Sequence, residues 1–128
     1  MHTLATYNAI RYTRPGEDLD GHFATQASRP TMIVSFKDEG TADIFAKQDT
    51  RAARHTCPQI LWPAARERLN RVQQAIKVID LMIPAGNRLK PLQGTRYGQH
   101  SIRINDQYRV CFRWGKGGAE EVEIVDYH

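Results

Sequence analysis

The chain has 128 residues, enough for one domain around one modest core and too few for two. Apolar residues make up 41% and charged residues 25%, the balance of a folding globular chain rather than a disordered or fibrous one, and no apolar run approaches the roughly 18 residues of a membrane-spanning helix. The net charge of +4 is unevenly placed: residues 88–113 hold six bases against one acid, and residues 51–71 hold five arginines against one glutamate.

That distribution makes a phosphate-rich partner the first functional expectation, with a plain solvated basic surface as its alternative. Residues 1–31 carry no sustained period, and their charges cancel, with Arg11, Arg14 and Arg29 against Glu17, Asp18 and Asp20. They are expected to form an irregular extension ahead of a domain spanning residues 32–128. The start lacks the basic and apolar runs of a secretory signal. Cys57 and Cys111 stand apart, without the spacing of a disulfide framework or a zinc site. A cytoplasmic protein needing no metal and no cofactor is the expectation.

Ile33-Val34-Ser35-Phe36 reads as a strand opening that domain. Thr41 to Lys47 reads as a short helix, and Gln48 to Cys57 is basic and less patterned. From Gln59 to Val78 a longer helix is expected, because Leu61, Ala65, Leu69, Val72, Ile76 and Ile79 recur at steps of three and four. Pro84-Ala85-Gly86-Asn87 breaks it, and Leu89 to Leu92 offers a short strand. The period then changes to two. His100, Ile102 and Ile104 alternate with Ser101, Arg103 and Asn105, and Tyr108, Val110, Phe112 and Trp114 alternate with Arg109, Cys111 and Arg113. Asp106-Gln107 and Gly115-Lys116-Gly117-Gly118 supply turns before a last strand from Glu121 to Tyr127. The expected fold is α+β: N-terminal helices packed on a small, mainly antiparallel, twisted sheet.

Alternation places Arg103, Arg109 and Arg113 on one sheet face, where like charges about 5 Å apart repel unless an anion or carboxylates sit between them. A bound anion is one candidate, and a structural network with Glu121 and Glu123 is the other. Arg51, Arg54, Arg66, Arg71, Arg88 and Arg96 extend the candidate contacts to a phosphate-rich partner. At the end of the last strand His128 is suited to proton transfer near neutral pH, and Tyr127 to stacking or proton transfer. His100, beside Ile102, reads as a core or boundary histidine. His55-Thr56-Cys57 lacks further metal ligands.

Asn87-Arg88-Leu89-Lys90-Pro91-Leu92-Gln93-Gly94, the string Gly98-Gln99-His100-Ser101-Ile102-Arg103-Ile104-Asn105-Asp106-Gln107-Tyr108-Arg109-Val110-Cys111-Phe112-Arg113-Trp114 and the ending Val122 to His128 together resemble the HigB family of toxins. That family lies within the RelE/ParE superfamily of bacterial toxin–antitoxin modules, and the resemblance covers residues 32–128. It implies a RelE-like fold and a metal-independent endoribonuclease that cuts mRNA on the translating ribosome. It also implies restraint by a HigA-like helix-turn-helix antitoxin. Its site residues carry over to Arg109, Asp126, Tyr127 and His128, and Lys90 joins them because some members carry a histidine there. Gln93 likewise replaces a lysine found in some members. Two rival readings stand beside it: a ParE-like toxin that inhibits DNA gyrase through protein contact, and a non-catalytic module that binds RNA or the ribosome.

Overall fold

A computed structural model describes residues 32–127; the expected extension, residues 1–31, and His128 lie outside the described residues. Among the described residues three helices precede a four-stranded antiparallel meander: α1 (Glu39–Phe45), α2 (Arg51–Thr56), α3 (Trp62–Gln74), then β1 (Lys90–Pro91), β2 (Gln99–Arg103), β3 (Tyr108–Gly115) and β4 (Gly118–Asp126), paired in that order. The α+β architecture expected from the sequence is therefore present.

Local chemistry sets each helix boundary. Asp38 caps α1 by accepting from the Thr41 amide at 2.7 Å, so this helix starts two residues before the expected Thr41. The stretch read as unpatterned, residues 48–57, contains α2, because the Thr50 hydroxyl accepts from Ala53 N at 3.0 Å and donates to Asp43 at 2.6 Å. Six residues are too few for a hydrophobic period to register, so the cap is the readable signal. A Cβ on Gly40 would overlap the Thr56 hydroxyl and the Ala52 carbonyl, so only glycine lets α1 approach α2 this closely.

The long helix is shorter than its stripe. A 3₁₀ turn, Gln59–Leu61, leads into α3, which stops at Gln74, and Ala75 is extended with ψ 133°. Asp80 explains the stop. Its carboxylate accepts from the amides of Ile76 and Lys77, both at 3.0 Å, and so competes with helix propagation through a β-branched run. A second 3₁₀ turn, Val78–Met82, follows. Ile76 and Ile79, expected on the buried stripe, are each 57% exposed, whereas Ala65, Leu69 and Val72 are fully buried.

The sheet presents one face to these helices. Ile102, Val110, Phe112, Val122 and Ile124 pack with Leu69, Val72, Trp62 and Ile44 in a single core, each large apolar group contributing about 1.5–3 kcal/mol by leaving water. Thr41 ties the layers, its hydroxyl accepting from Ile124 N at 3.0 Å. The expected first strand forms two parallel bridges to β4, Ile33 with Ala119 and Phe36 with Val122, instead of a full ladder. The Leu89–Leu92 strand contracts to β1.

Leu69→Ala is expected to cost about 2–5 kcal/mol in urea denaturation, the range for truncating a buried leucine. Ile79→Ala should stay within about 0.5 kcal/mol of wild type, as solvent-facing positions do. A multi-kcal loss at Ile79 would restore the longer helix.

Candidate functional site

On the sheet face away from the helices, the register sets Arg103 directly opposite Arg109, Ser101 opposite Cys111, and Lys90 of β1 opposite Ser101. On β4, Val125 stands opposite Arg109, and alternation puts Tyr127 on the same side. The loops after α3 and after β2 close the edges. The result is a cleft of about 350 Å³ lined, among the described residues, by Arg88, Lys90, Arg103, Asn105, Asp106, Arg109 and Tyr127, four cations against a single side-chain carboxylate.

Arg109 is the most constrained of these cations. Its Nε donates to the Ser101 hydroxyl at 2.7 Å and its Nη2 to the Arg88 carbonyl at 2.6 Å, leaving other N–H groups of the fork for a ligand. Burial pulls its pKa below the ordinary arginine value, Cys111 and Tyr127 push the other way, and Arg103 and Arg88 lower it further. An arginine stays charged through such a shift, so the fold carries the cost chiefly as lost hydration of the guanidinium and secondarily as repulsion from Arg103 and Arg88. Arg88 is left-handed, with φ 49° and ψ 52°, where a non-glycine residue is strained. Arg103 meets Asp106 in an ion pair, and Arg68 donates from Nε to the Arg103 carbonyl at 2.8 Å, linking α3 to the end of β2.

The chain end is fastened to the same rim. Tyr127 N donates to the Gln107 carbonyl at 2.6 Å, and the Gln107 amide donates to Asp126 at 3.0 Å. In the loop itself, Asn105 accepts from the amides of Gln107 at 2.9 Å and Tyr108 at 2.7 Å. The Lys90 ammonium lies over the Tyr127 ring, 5.4 Å from its centroid.

Of the sequence candidates, Arg88, Lys90, Arg103, Arg109 and Tyr127 thus share one cleft. Asp126 does not line it; period two turns its side chain from the face that carries Tyr127, and its carboxylate instead holds Gln107. His128 lies outside the described residues. The remaining arginines are placed elsewhere. Arg96 donates to Glu123 at 2.9 Å and to Gln99 at 3.0 Å, and Arg113 approaches Glu121 at 3.6 Å, so the structural-network alternative accounts for this end of the row. Arg71 pairs with Glu67 and donates to Asn87 at 2.6 Å, Arg66 reaches the Ile44 carbonyl at 3.3 Å, and Arg54 pairs with Asp49. Arg51 is exposed on α2. Sequence reasoning missed Ser101, although it shares a face with Arg109, and it missed Asn105 and Asp106, whose spacing before Tyr108 marked a turn.

Comparisons with known proteins identify the family. The family model for a RelE-like toxin of the type II toxin–antitoxin system HigB matches residues 34–128. The chain belongs to the HigB-like toxin family. Toxin HigB-1 of Vibrio cholerae serotype O1 is 36% identical over 88 residues, covering 69% of this chain and 90% of that protein. Endoribonuclease HigB of Proteus vulgaris is 29% identical over 103 residues, covering 76% of this chain and 100% of that protein. As a HigB-family toxin the chain has an antitoxin for a partner. No helix among the described residues is long and apolar enough to cross a membrane, and none of their His, Cys, Asp and Glu side chains gather in threes as metal ligands would.

His100 sits on the core side, its ring stacked on Phe112 with centroids 6.4 Å apart and its buried Nδ1 lacking a hydrogen-bond partner among the described residues. Burial lowers its pKa, so the unfolded chain binds the proton more tightly. Its contribution to stability is therefore full above the unfolded value of about 6.5 and declines as pH falls below it. Urea midpoints should drop further between pH 7 and pH 5 in wild type than in His100→Gln. Equal drops would remove His100 from the acid response.

Proposed function

We propose that this HigB-family toxin is an endoribonuclease that cuts mRNA on the translating ribosome. The single observation that supports it best is Arg109, pinned by two hydrogen bonds inside a cleft of four cations with Tyr127 at its rim. RNA carries its own nucleophile. The 2′-hydroxyl attacks the adjacent phosphorus, the bond to the 5′-oxygen breaks, and the products are a 2′,3′-cyclic phosphate and a 5′-hydroxyl. The protein must take the proton of the 2′-hydroxyl, stabilise the charge that builds on the phosphate oxygens, and return a proton to the departing oxygen.

A guanidinium already oriented before the substrate arrives needs little reorganisation as that charge develops, and this is the role assigned to Arg109. Arg88 and Arg103 hold flanking phosphates. Lys90 adds positive charge beside the Tyr127 ring. Proton transfer is assigned jointly to Tyr127 and His128. Asp126 acts at one remove, by holding Gln107 and with it the loop that fastens the chain end. Such sparse acid–base equipment leans on positioning, which a ribosome-held mRNA supplies. The reading places the toxin in the cytoplasm, restrained by a HigA-like helix-turn-helix antitoxin, and the name of the Proteus vulgaris relative as an endoribonuclease supports the reaction class.

Arg109→Ala should slow single-turnover cleavage by about 10² to 10³ on programmed ribosomes. His128→Gln should slow it by about 10² to 10⁴ and change the pH–rate profile between pH 5.5 and 9. Mapping of mRNA ends after brief induction should show new 5′ ends within coding sequence. Purified protein should cut free mRNA far more slowly than ribosome-bound mRNA. Growth arrest with DNA damage and no new mRNA ends would overturn the assignment.

A further inference from the structure

We infer that Asn87, gripped by Arg71 of α3, is a positioning residue that sets the Arg88 carbonyl against Arg109 and so tunes the reaction without touching RNA. The inference rests on the role proposed for Arg109. Asn87 is fully buried, and its side chain is hydrogen-bonded on both sides. Its Nδ2 donates to the carbonyls of Leu81 at 3.1 Å and Ile83 at 3.4 Å, and its Oδ1 accepts from Arg71 Nη1 at 2.6 Å. Its backbone N–H donates to the Pro84 carbonyl at 3.0 Å. One side chain thus clamps residues 81–83, at the end of the 3₁₀ turn, to Arg71 on the flank of α3.

The next residue converts that clamp into a consequence for the cleft. Arg88 holds a left-handed backbone, a conformation that persists in a non-glycine residue only where its neighbours impose it. Its N–H is tied to the Ala85 carbonyl at 3.0 Å and its own carbonyl receives Arg109 Nη2 at 2.6 Å. An unbroken line of hydrogen bonds and one peptide step therefore runs from Arg71 through Asn87 and Arg88 to the Arg109 fork. A buried asparagine and a half-buried arginine are costly ways to fill space, and a smaller apolar residue would pack there without needing partners. What this pair supplies is a fixed direction for one carbonyl. Displacing a reacting-site group by about 1 Å can cost 10²-fold in rate, so loosening the clamp should be felt in the chemical step rather than in RNA affinity.

Two readouts test this on the full-length protein: the side-chain ¹⁵N–¹H signal of Arg109 Nε, assigned by its disappearance in Arg109→Lys, and single-turnover cleavage of ribosome-bound mRNA. Arg71→Met should shift or broaden the Arg109 signal and lower the maximal rate by about 10 to 10² with the half-saturating ribosome concentration nearly unchanged. Arg71→Lys, which can still donate to Asn87 Oδ1, should recover most of both. Glu67→Gln weakens the ion pairs from Glu67 to Arg71 and to Arg68 but leaves the Arg71–Asn87 hydrogen bond in place, and should leave both at wild-type values. If Arg71→Met fails to fold, Asn87→Asp, which keeps the acceptor for Arg71 and loses both Nδ2 donors, should give the same pair of changes.

An unmoved Arg109 signal in a folded Arg71→Met protein overturns the inference, as does an equal effect from Glu67→Gln. Wild-type cleavage by Arg109→Ala would instead overturn the role of Arg109, and with it the catalytic half of the inference, while the signal still reads the geometric half on its own.

Discussion

The antiparallel register between β2 and β3 is the constraint on which the cleft depends. A strand's side chains alternate between faces, so a slip by one residue would carry Arg103 and Arg109 into the core and expose Ile102 and Val110. Two devices prevent the slip. Asn105 folds back on the amides of Gln107 and Tyr108, fixing the length of the connecting loop. On the other edge of β3 an irregularity between Cys111 and Arg113, with Glu121 at φ 53°, offsets the pairing to β4 once and in a defined place. The apolar requirement of one face thus determines the charge arrangement on the other. Packing of Phe112 and Val110 against α3 is what brings two like-charged groups into direct opposition.

The strands were legible because their signal is strong: seven alternations from His100 through Phe112 fall to the same sides in the sheet as in the sequence pattern. The row of arginines was legible for the same reason. The end of α3 was not, since Ile76 and Ile79 keep the helical spacing, and the competing interaction comes from Asp80, a residue beyond the stripe. The second helix was invisible to periodicity and depended on one threonine cap. Of the candidate site, the residues brought together by the sheet could be anticipated. What could not be anticipated is which arginines would be spent internally. Arg71 and Arg96 look no different in sequence from Arg88 and Arg103, and their roles follow from the positions of Asn87 and Glu123, which only the tertiary fold determines.

The basic surplus is consequently divided. Toward one end of the sheet face, Glu123 meets both Arg96 and Lys37, the latter at 3.7 Å, and beneath them Cys111 is fully buried. Burial pushes the Cys111 thiol up to about 11, with Arg96 opposing and Glu123 reinforcing the shift, so this sulfur is a packing element rather than a nucleophile. Toward the other end carboxylates are few: among the described residues Asp106 is the single one lining the cleft, and Asp126 is engaged by Gln107. One face therefore contains both a neutralised scaffold and an under-neutralised opening, with Ser101 and Arg109 at the boundary.

The opposition of Arg103 and Arg109 has a thermodynamic corollary. Two guanidinium groups held across neighbouring strands, with a third cation at Arg88, make the ligand-free fold pay for a charge density that a bound polyanion would relieve. Any anion that enters the native cleft and has no comparable site on the unfolded chain raises stability by RT ln(1 + [L]/Kd). Heparin or short oligonucleotides should accordingly act as folding ligands for this toxin, delaying its thermal unfolding in proportion to the logarithm of their concentration. The same coupling makes the protein hardest to keep folded in dilute buffer, where no anion relieves the cleft.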